Sequence, residues 1–105
     1  MLFGQSKKEK LLSAIRSANS AMEEIYSLCG RNPSRISTLS YSDKNRIRSL
    51  MQKFLMSQMK VPSLIEGDSS LMMTTVPGPL GSPQIPCYAW LQWAMQAFEG
   101  VERYL

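Results

Sequence analysis

The first regular pattern of apolar residues recurs at alternating steps of four and three: Leu11, Ile15, Ala18, Met22, Ile25 and Cys29. This spacing is typical of a helix that packs one face against its neighbours. The segment Ser6-Lys-Lys-Glu9 matches a capping box, which starts a helix. Gly30 can take the left-handed conformation that ends one, so we predict a helix over residues 7–29. Its apolar face is expected to lie in the core of a bundle, with an intermolecular coiled coil as the alternative.

A second apolar stripe follows a basic, serine-rich connector and consists of Ile47, Leu50, Met51, Phe54, Leu55 and Met59. Ser40-Tyr-Ser-Asp43 resembles another capping box, and an aspartate in the first turn interacts favourably with the helix dipole. The residue before a proline avoids the helical region, so Pro62 predicts that this helix ends near Lys60. We therefore predict a second helix over residues 41–60.

Residues 61–86 differ in character, because they hold five of the six prolines and three glycines. This stretch also contains six apolar residues that could pack on the core: Leu64, Ile65, Leu71, Val76, Leu80 and Ile85. Their presence favours a segment that covers the core, rather than a flexible linker. The residues on either side of Gly67-Asp68 can pair as a short β-hairpin around a type II′ turn.

The last helix is predicted over residues 86–105, where Pro86 suits the first turn. Its apolar residues repeat the four-three spacing: Cys87, Leu91, Ala94, Phe98, Val101 and Leu105. Alanines at matched depth in the first and third helices, together with Gly100, predict a close helix–helix approach. The expected fold is mostly α, a three-helix domain with a Pro/Gly-rich segment and a possible short β-hairpin between helices 2 and 3.

Several apolar residues of the third helix lie outside this spacing, so the helix is apolar around much of its circumference. In a small domain, either the middle segment or a partner must cover it. We expect a protein partner or a second copy to bind there, through an interface formed by Tyr88, Trp90, Trp93, Met95 and Tyr104. A chain of 105 residues is expected to form one helical domain over residues 1–105. No stop signal follows Leu105, which is also compatible with the N-terminal part of a longer protein.

Charge is unevenly distributed along the chain. Residues 1–60 carry eleven lysines and arginines against four acids, a net charge of +7, whereas residues 61–105 carry one arginine against four acids, a net charge of −3. The first half therefore suits an anionic membrane surface or a nucleic acid. The expected contacts are Lys7, Lys8, Lys10, Arg31, Arg35, Arg46 and Arg48, with Leu2 and Phe3 as an apolar tip that inserts into a membrane. A basic surface that only maintains solubility is the competing interpretation.

Residues that carry chemistry are scarce. The chain has no histidine, which removes the commonest general base and metal ligand, and its two cysteines, Cys29 and Cys87, lack CxxC spacing. No phosphate-binding glycine motif occurs. We therefore expect no catalytic residue, metal, cofactor or small-molecule substrate. The cysteine usage and the absence of a secretory signal or an 18-residue apolar run predict an intracellular protein, cytoplasmic or peripheral at a membrane.

Together these features predict a non-enzymatic interaction or assembly protein. An aromatic, methionine-rich surface would bind protein, and the basic first half would face an anionic membrane or polyanion. Small matrix-type and accessory proteins of viruses combine these properties, which is an analogy of composition. The alternative is a nucleic-acid-binding module, and a small enzyme or enzyme subunit comes third.

Overall fold

The computed structural model describes residues 6–105, so the predicted membrane tip, Leu2 and Phe3, lies outside the described residues. Three helices dominate this part of the chain: α1 (Lys7–Leu28), α2 (Tyr41–Gly67) and α3 (Cys87–Glu102). Two 3₁₀ helices, Pro33–Thr38 and Ser69–Met73, follow α1 and α2. Two short strands precede α3: β1 (Thr75–Val76) and β2 (Ile85–Pro86). The predicted mostly α fold is confirmed.

The ends of α1 follow from local sequence, as predicted. The Ser6 hydroxyl accepts a hydrogen bond from the Glu9 amide at 3.1 Å. At the other end, Gly30 has a φ of +65° and the Arg31 amide donates to the Tyr26 carbonyl at 2.7 Å. This is a Schellman motif, in which the left-handed residue lets the chain fold back onto the last turn.

Helix α2 is longer than predicted and passes through Pro62 to Gly67. A proline inside a helix costs about 3 kcal/mol, because it removes one backbone hydrogen bond and crowds the preceding turn. Burial offsets this cost, since Val61 is fully buried and Leu64 and Ile65 pack against the core. The prediction that the helix ends near residue 60 is therefore wrong.

The predicted turn at Gly67-Asp68 is also misplaced, because Gly67 is the last residue of α2. Asp68 instead caps the second 3₁₀ helix, and its carboxylate accepts from the Ser70 amide at 3.1 Å. Hydrogen bonds from the Ser70 hydroxyl and amide hold the pKa of Asp68 below its ordinary value. A short antiparallel pair does form between α2 and α3, but from β1 and β2, with Val76 opposite Ile85.

Helices α1 and α2 lie antiparallel and in contact along their length. Near the middle, the Ser57 hydroxyl donates to the Ser17 hydroxyl at 3.1 Å. Nearer the connector, the Arg46 guanidinium donates to the Glu24 carboxylate at 2.8 Å. Small residues line the side of α1 that faces α2, which lets the two backbones approach closely. The six apolar positions of the first predicted helix, five in α1 and Cys29 just after it, are all buried.

Helix α3 packs across this pair, and its buried face consists of Cys87, Trp90, Ala94, Ala97 and Val101. The predicted face named Leu91 and Phe98 in place of Trp90 and Ala97, so the helix is rotated toward Trp90 relative to the prediction. The Trp90 ring is fully buried, with its centroid 6.5 Å from that of Phe54. Trp90 is therefore a core residue, which corrects its assignment to a protein interface.

A polar clasp around Asn19 joins α1 to α3 and to the loop between the strands. The Trp90 indole N–H donates to the Asn19 side-chain oxygen at 2.8 Å. The Asn19 side-chain nitrogen donates to the Pro77 carbonyl at 3.0 Å. The clasp therefore satisfies the indole N–H, which would be costly to leave unpaired in the core.

Gly100 does not mark a close helix–helix approach, contrary to the prediction. A Cβ atom added at Gly100 would meet no atom within 4 Å outside its own helix backbone. Gly78 is the opposite case, because a Cβ atom there would collide with the carbonyl oxygen of Pro83.

We expect Gly100→Ala to raise the free energy of unfolding by up to about 1 kcal/mol, since alanine restricts the unfolded chain and suits a helix interior. The same substitution at Gly78 is the control and should lower it by about 1–3 kcal/mol through overpacking. Urea denaturation measures both. A loss of stability in Gly100→Ala would indicate a close neighbour at that position.

Candidate functional site

The predicted basic surface is divided between the two ends of the α1–α2 pair. Lys7, Lys8 and Lys10 lie in the first turn of α1, and all three are exposed. The four predicted arginines lie beyond the other end of α1 or in the first two turns of α2: Arg31, Arg35, Arg46 and Arg48. A helix rises 1.5 Å per residue, so about 30 Å separates the two groups. The arginines therefore do not extend the surface formed by the three lysines.

Intramolecular partners also engage three of these arginines. Arg31 pairs with Glu23 at 3.1 Å, and Arg46 pairs with Glu24. The Arg48 guanidinium donates to the side chain of Asn45 at 2.9 Å. Exposed ion pairs contribute little to stability, but each of the two glutamates offsets the positive charge that its arginine could offer to a polyanion.

The predicted protein interface is likewise not one surface. Tyr88 and Met95 are exposed and seven residues apart, which places them on the same side of α3. Trp93 is half-buried on another side of α3, and Tyr104, which follows the end of α3, is also half-buried. The Trp93 ring stands edge-on to Phe54 with centroids 6.0 Å apart, so part of this side chain contributes to the core.

A groove lies between α1 and α2 and was not predicted from the sequence. Its volume is about 590 Å³, and its lining residues are Lys10, Ser13, Ala14, Ser17, Met56, Met59, Lys60, Ser63 and Leu64. We call it the Lys–Met groove. Asn19 and Phe54, which contact α3, are absent from the lining, so the groove opens on a side of the pair that α3 leaves uncovered.

The sequence builds this groove by combining small and long side chains. Ala14 and Ser17 are small, so they leave a depression where α1 meets α2. Met56 and Met59 belong to the outward side of α2, and 64% and 63% of their surfaces are exposed. The prediction that Met59 belongs to the core stripe is therefore wrong. The helical phase of Phe54 and Val61, both fully buried, turns Met59 outward.

The charge of the groove is positive on both walls. Lys10 comes from α1 and Lys60 from α2, and neither forms an ion pair with any of residues 6–105. No aspartate or glutamate is among the lining residues. Hydroxyl groups of Ser13 and Ser63 add hydrogen-bonding capacity between the lysines. The groove therefore combines flexible apolar side chains with a cation from each helix.

Metal-ligating and thiol side chains were the remaining candidates for chemistry in the described part of the chain. Within residues 6–105, no group of three or more histidine, cysteine, aspartate or glutamate side chains is placed to hold a metal ion. Cys29 and Cys87 are buried free thiols, and burial raises the pKa of the Cys87 thiol. No helix in this part is long and apolar enough to cross a membrane.

No family model, curated protein or solved structure matches this chain. Similarity to known proteins therefore assigns no function to this chain. The Lys–Met groove combines a concave shape, two lysines and two exposed methionines, which makes it the candidate functional site.

Proposed function

We propose that this protein is a non-enzymatic interaction protein that docks on an anionic partner through the Lys–Met groove. The observation that carries this proposal is the juxtaposition of two exposed methionines with lysines on opposite walls, Lys10 and Lys60. Isolated exposed apolar residues are common on proteins. Here they line a concavity whose charged lining residues, among residues 6–105, are both lysines, a combination that fits a complementary surface.

The two kinds of side chain support different aspects of binding. Methionine is unbranched and polarizable, so Met56 and Met59 can adapt to the shape of a partner. Lysines attract anionic groups over a distance of about a Debye length and orient the encounter. A partner that satisfies both would place acidic groups around an apolar centre.

A nucleic-acid-binding function is the second candidate, and one observation favours it. Tyr41 is 79% exposed at the start of α2, and Arg48 lies seven residues later on the same side. An exposed aromatic ring can stack on a nucleic-acid base while a cation two turns along the helix contacts the backbone. This pair lies at the opposite end of α2 from the Lys–Met groove, so the two candidates can be tested separately.

Charge reversal on the two walls tests the proposal. The full chain and the variant Lys10→Glu/Lys60→Glu would be titrated with poly-L-glutamate, phosphatidylserine vesicles and a single-stranded oligoribonucleotide at physiological ionic strength. We expect the wild type to bind an anionic probe and the variant to bind it at least about tenfold more weakly, since each lysine near an anionic surface contributes about 1 kcal/mol. Circular dichroism checks that the variant folds.

Arg48→Glu/Arg103→Glu is the matched control, because it changes the net charge equally but leaves the groove intact. Both arginines are exposed. Equal losses in the two variants would mean that only net charge matters, and would contradict the proposal. Loss of oligoribonucleotide binding in the control alone would favour the nucleic-acid function. Failure of all three probes to bind the wild type would refute both.

A further inference from the structure

We propose that the occupant of the Lys–Met groove is an acidic amphipathic α-helix of a partner protein. This inference rests on the proposed function and names the class of partner. It draws on three features of the groove: its length between two helices, its small-residue floor, and the placement of one lysine on each wall.

The length of the groove matches a short stretch of helix. Its walls span residues 10–17 of α1 and residues 56–64 of α2. At 1.5 Å per residue, each wall is about 10–12 Å long, which is the rise of two helical turns. In helical bundles, a third helix commonly lies in the groove between two antiparallel neighbours. Helix α3 occupies one such position, and the Lys–Met groove provides another.

The floor and walls suit the side chains of such a helix. Ala14 and Ser17 are small and leave room for large apolar side chains to reach the bottom of the groove. Met56, Met59 and Leu64 supply an apolar lining around them. Helix-in-groove recognition uses apolar residues at positions i, i+3 or i+4, and i+7, which two turns can present.

The lysines specify the charge of the partner. Because Lys10 and Lys60 lie on opposite walls, a docked helix meets a cation on each side of its apolar stripe. Acidic residues flanking that stripe would therefore be complementary on both sides. A flat membrane surface would contact the rims and leave the floor at Ala14 empty. Nucleic acid would gain little from the methionine side chains, which offer no hydrogen-bond donors to phosphate.

Two synthetic peptides of identical composition test the inference on the full chain. One arranges glutamates and leucines as an amphipathic helix, and the other is scrambled so that no apolar stripe forms. We expect the amphipathic peptide to bind at least about tenfold more tightly, since buried apolar anchors dominate such interfaces. The variant Met56→Ser/Met59→Ser should remove that preference. Met73→Ser/Met95→Ser is the control and should retain it, because these equally exposed methionines lie outside the groove.

The outcomes separate this inference from the proposed function. Equal binding of the two peptides, weakened by Lys10→Glu/Lys60→Glu, would overturn the helical partner and leave the anionic docking function standing. Binding of phosphatidylserine vesicles without binding of either peptide would overturn the helical partner in favour of a membrane. Loss of the preference in both methionine variants would show that the groove is not the binding site.

Discussion

Replacing Trp90 with alanine should lower the free energy of unfolding by about 3–5 kcal/mol, the usual cost of removing a large aromatic side chain from a core. The indole is fully buried and lies 6.0 Å from the Trp93 ring, centroid to centroid. Its N–H also donates to Asn19, so the substitution removes a buried hydrogen bond together with the apolar contacts. Urea denaturation followed by circular dichroism at two protein concentrations measures the loss.

Tyr88→Ala is the control, since Tyr88 lies on the same helix but is exposed. Its replacement should change stability by no more than about 0.5 kcal/mol, as is usual for surface substitutions. The loss in Trp90→Ala should not vary with protein concentration. A loss that does vary, or one below about 1 kcal/mol, would place Trp90 at a contact between copies and not in the core of one chain.

Replacing Asn19 with alanine should lower the free energy of unfolding by about 1–3 kcal/mol. The change leaves the buried Trp90 indole N–H without an acceptor and releases the Pro77 carbonyl from the side chain that holds it. Native-state hydrogen exchange of the indole N–H should accelerate as well. Denaturant titration and indole exchange by nuclear magnetic resonance are the two measurements.

Asn45→Ala serves as the comparison, because Asn45 is an exposed helical asparagine that accepts only from Arg48. It should cost less than about 0.5 kcal/mol. If Asn19→Ala proved equally mild, with indole exchange unchanged, the clasp would contribute nothing to stability.

The parts of the fold that follow from local chemistry were predicted well. The helix starts at Ser6 and Ser40 depend on side chains that reach an amide three residues away. The end of α1 depends on one glycine in the left-handed conformation. The end of α2 was not predicted, because the local penalty at Pro62 is offset by burial of Val61, Leu64 and Ile65 in a core that the local sequence does not reveal.

The orientation of α3 was predicted only in part, because two of its sides are apolar. Local periodicity treated the side with Leu91 and Phe98 as the core. The structure buries Trp90 more fully, since Phe54 and Asn19 provide an aromatic contact and an acceptor for its N–H. Neither partner can be identified from the spacing of apolar residues within α3.

The Lys–Met groove could not be predicted from the sequence either, because it too depends on contacts between distant segments. Lys10 and Lys60 are fifty residues apart, and they line one groove only because α1 and α2 pair in the register marked by Ser17 and Ser57. The charge imbalance did indicate a basic first half. It did not show that Arg31 and Arg46 would be paired with glutamates.

The clasp around Asn19 has a consequence for the order of folding. Its hydrogen bonds join residues 58 and 71 positions apart, whereas α1 and α2 are neighbours joined by a short connector. Closing long loops is entropically costly, so the helical pair is expected to assemble before α3 docks. A helix with two apolar sides can dock the wrong way round, but only the native arrangement brings the Trp90 N–H to Asn19. The hydrogen bond to Asn19 is thus expected to favour the native docking of α3. A misdocked arrangement that buries the Trp90 N–H without an acceptor would be less stable by about the cost of one unpaired buried group.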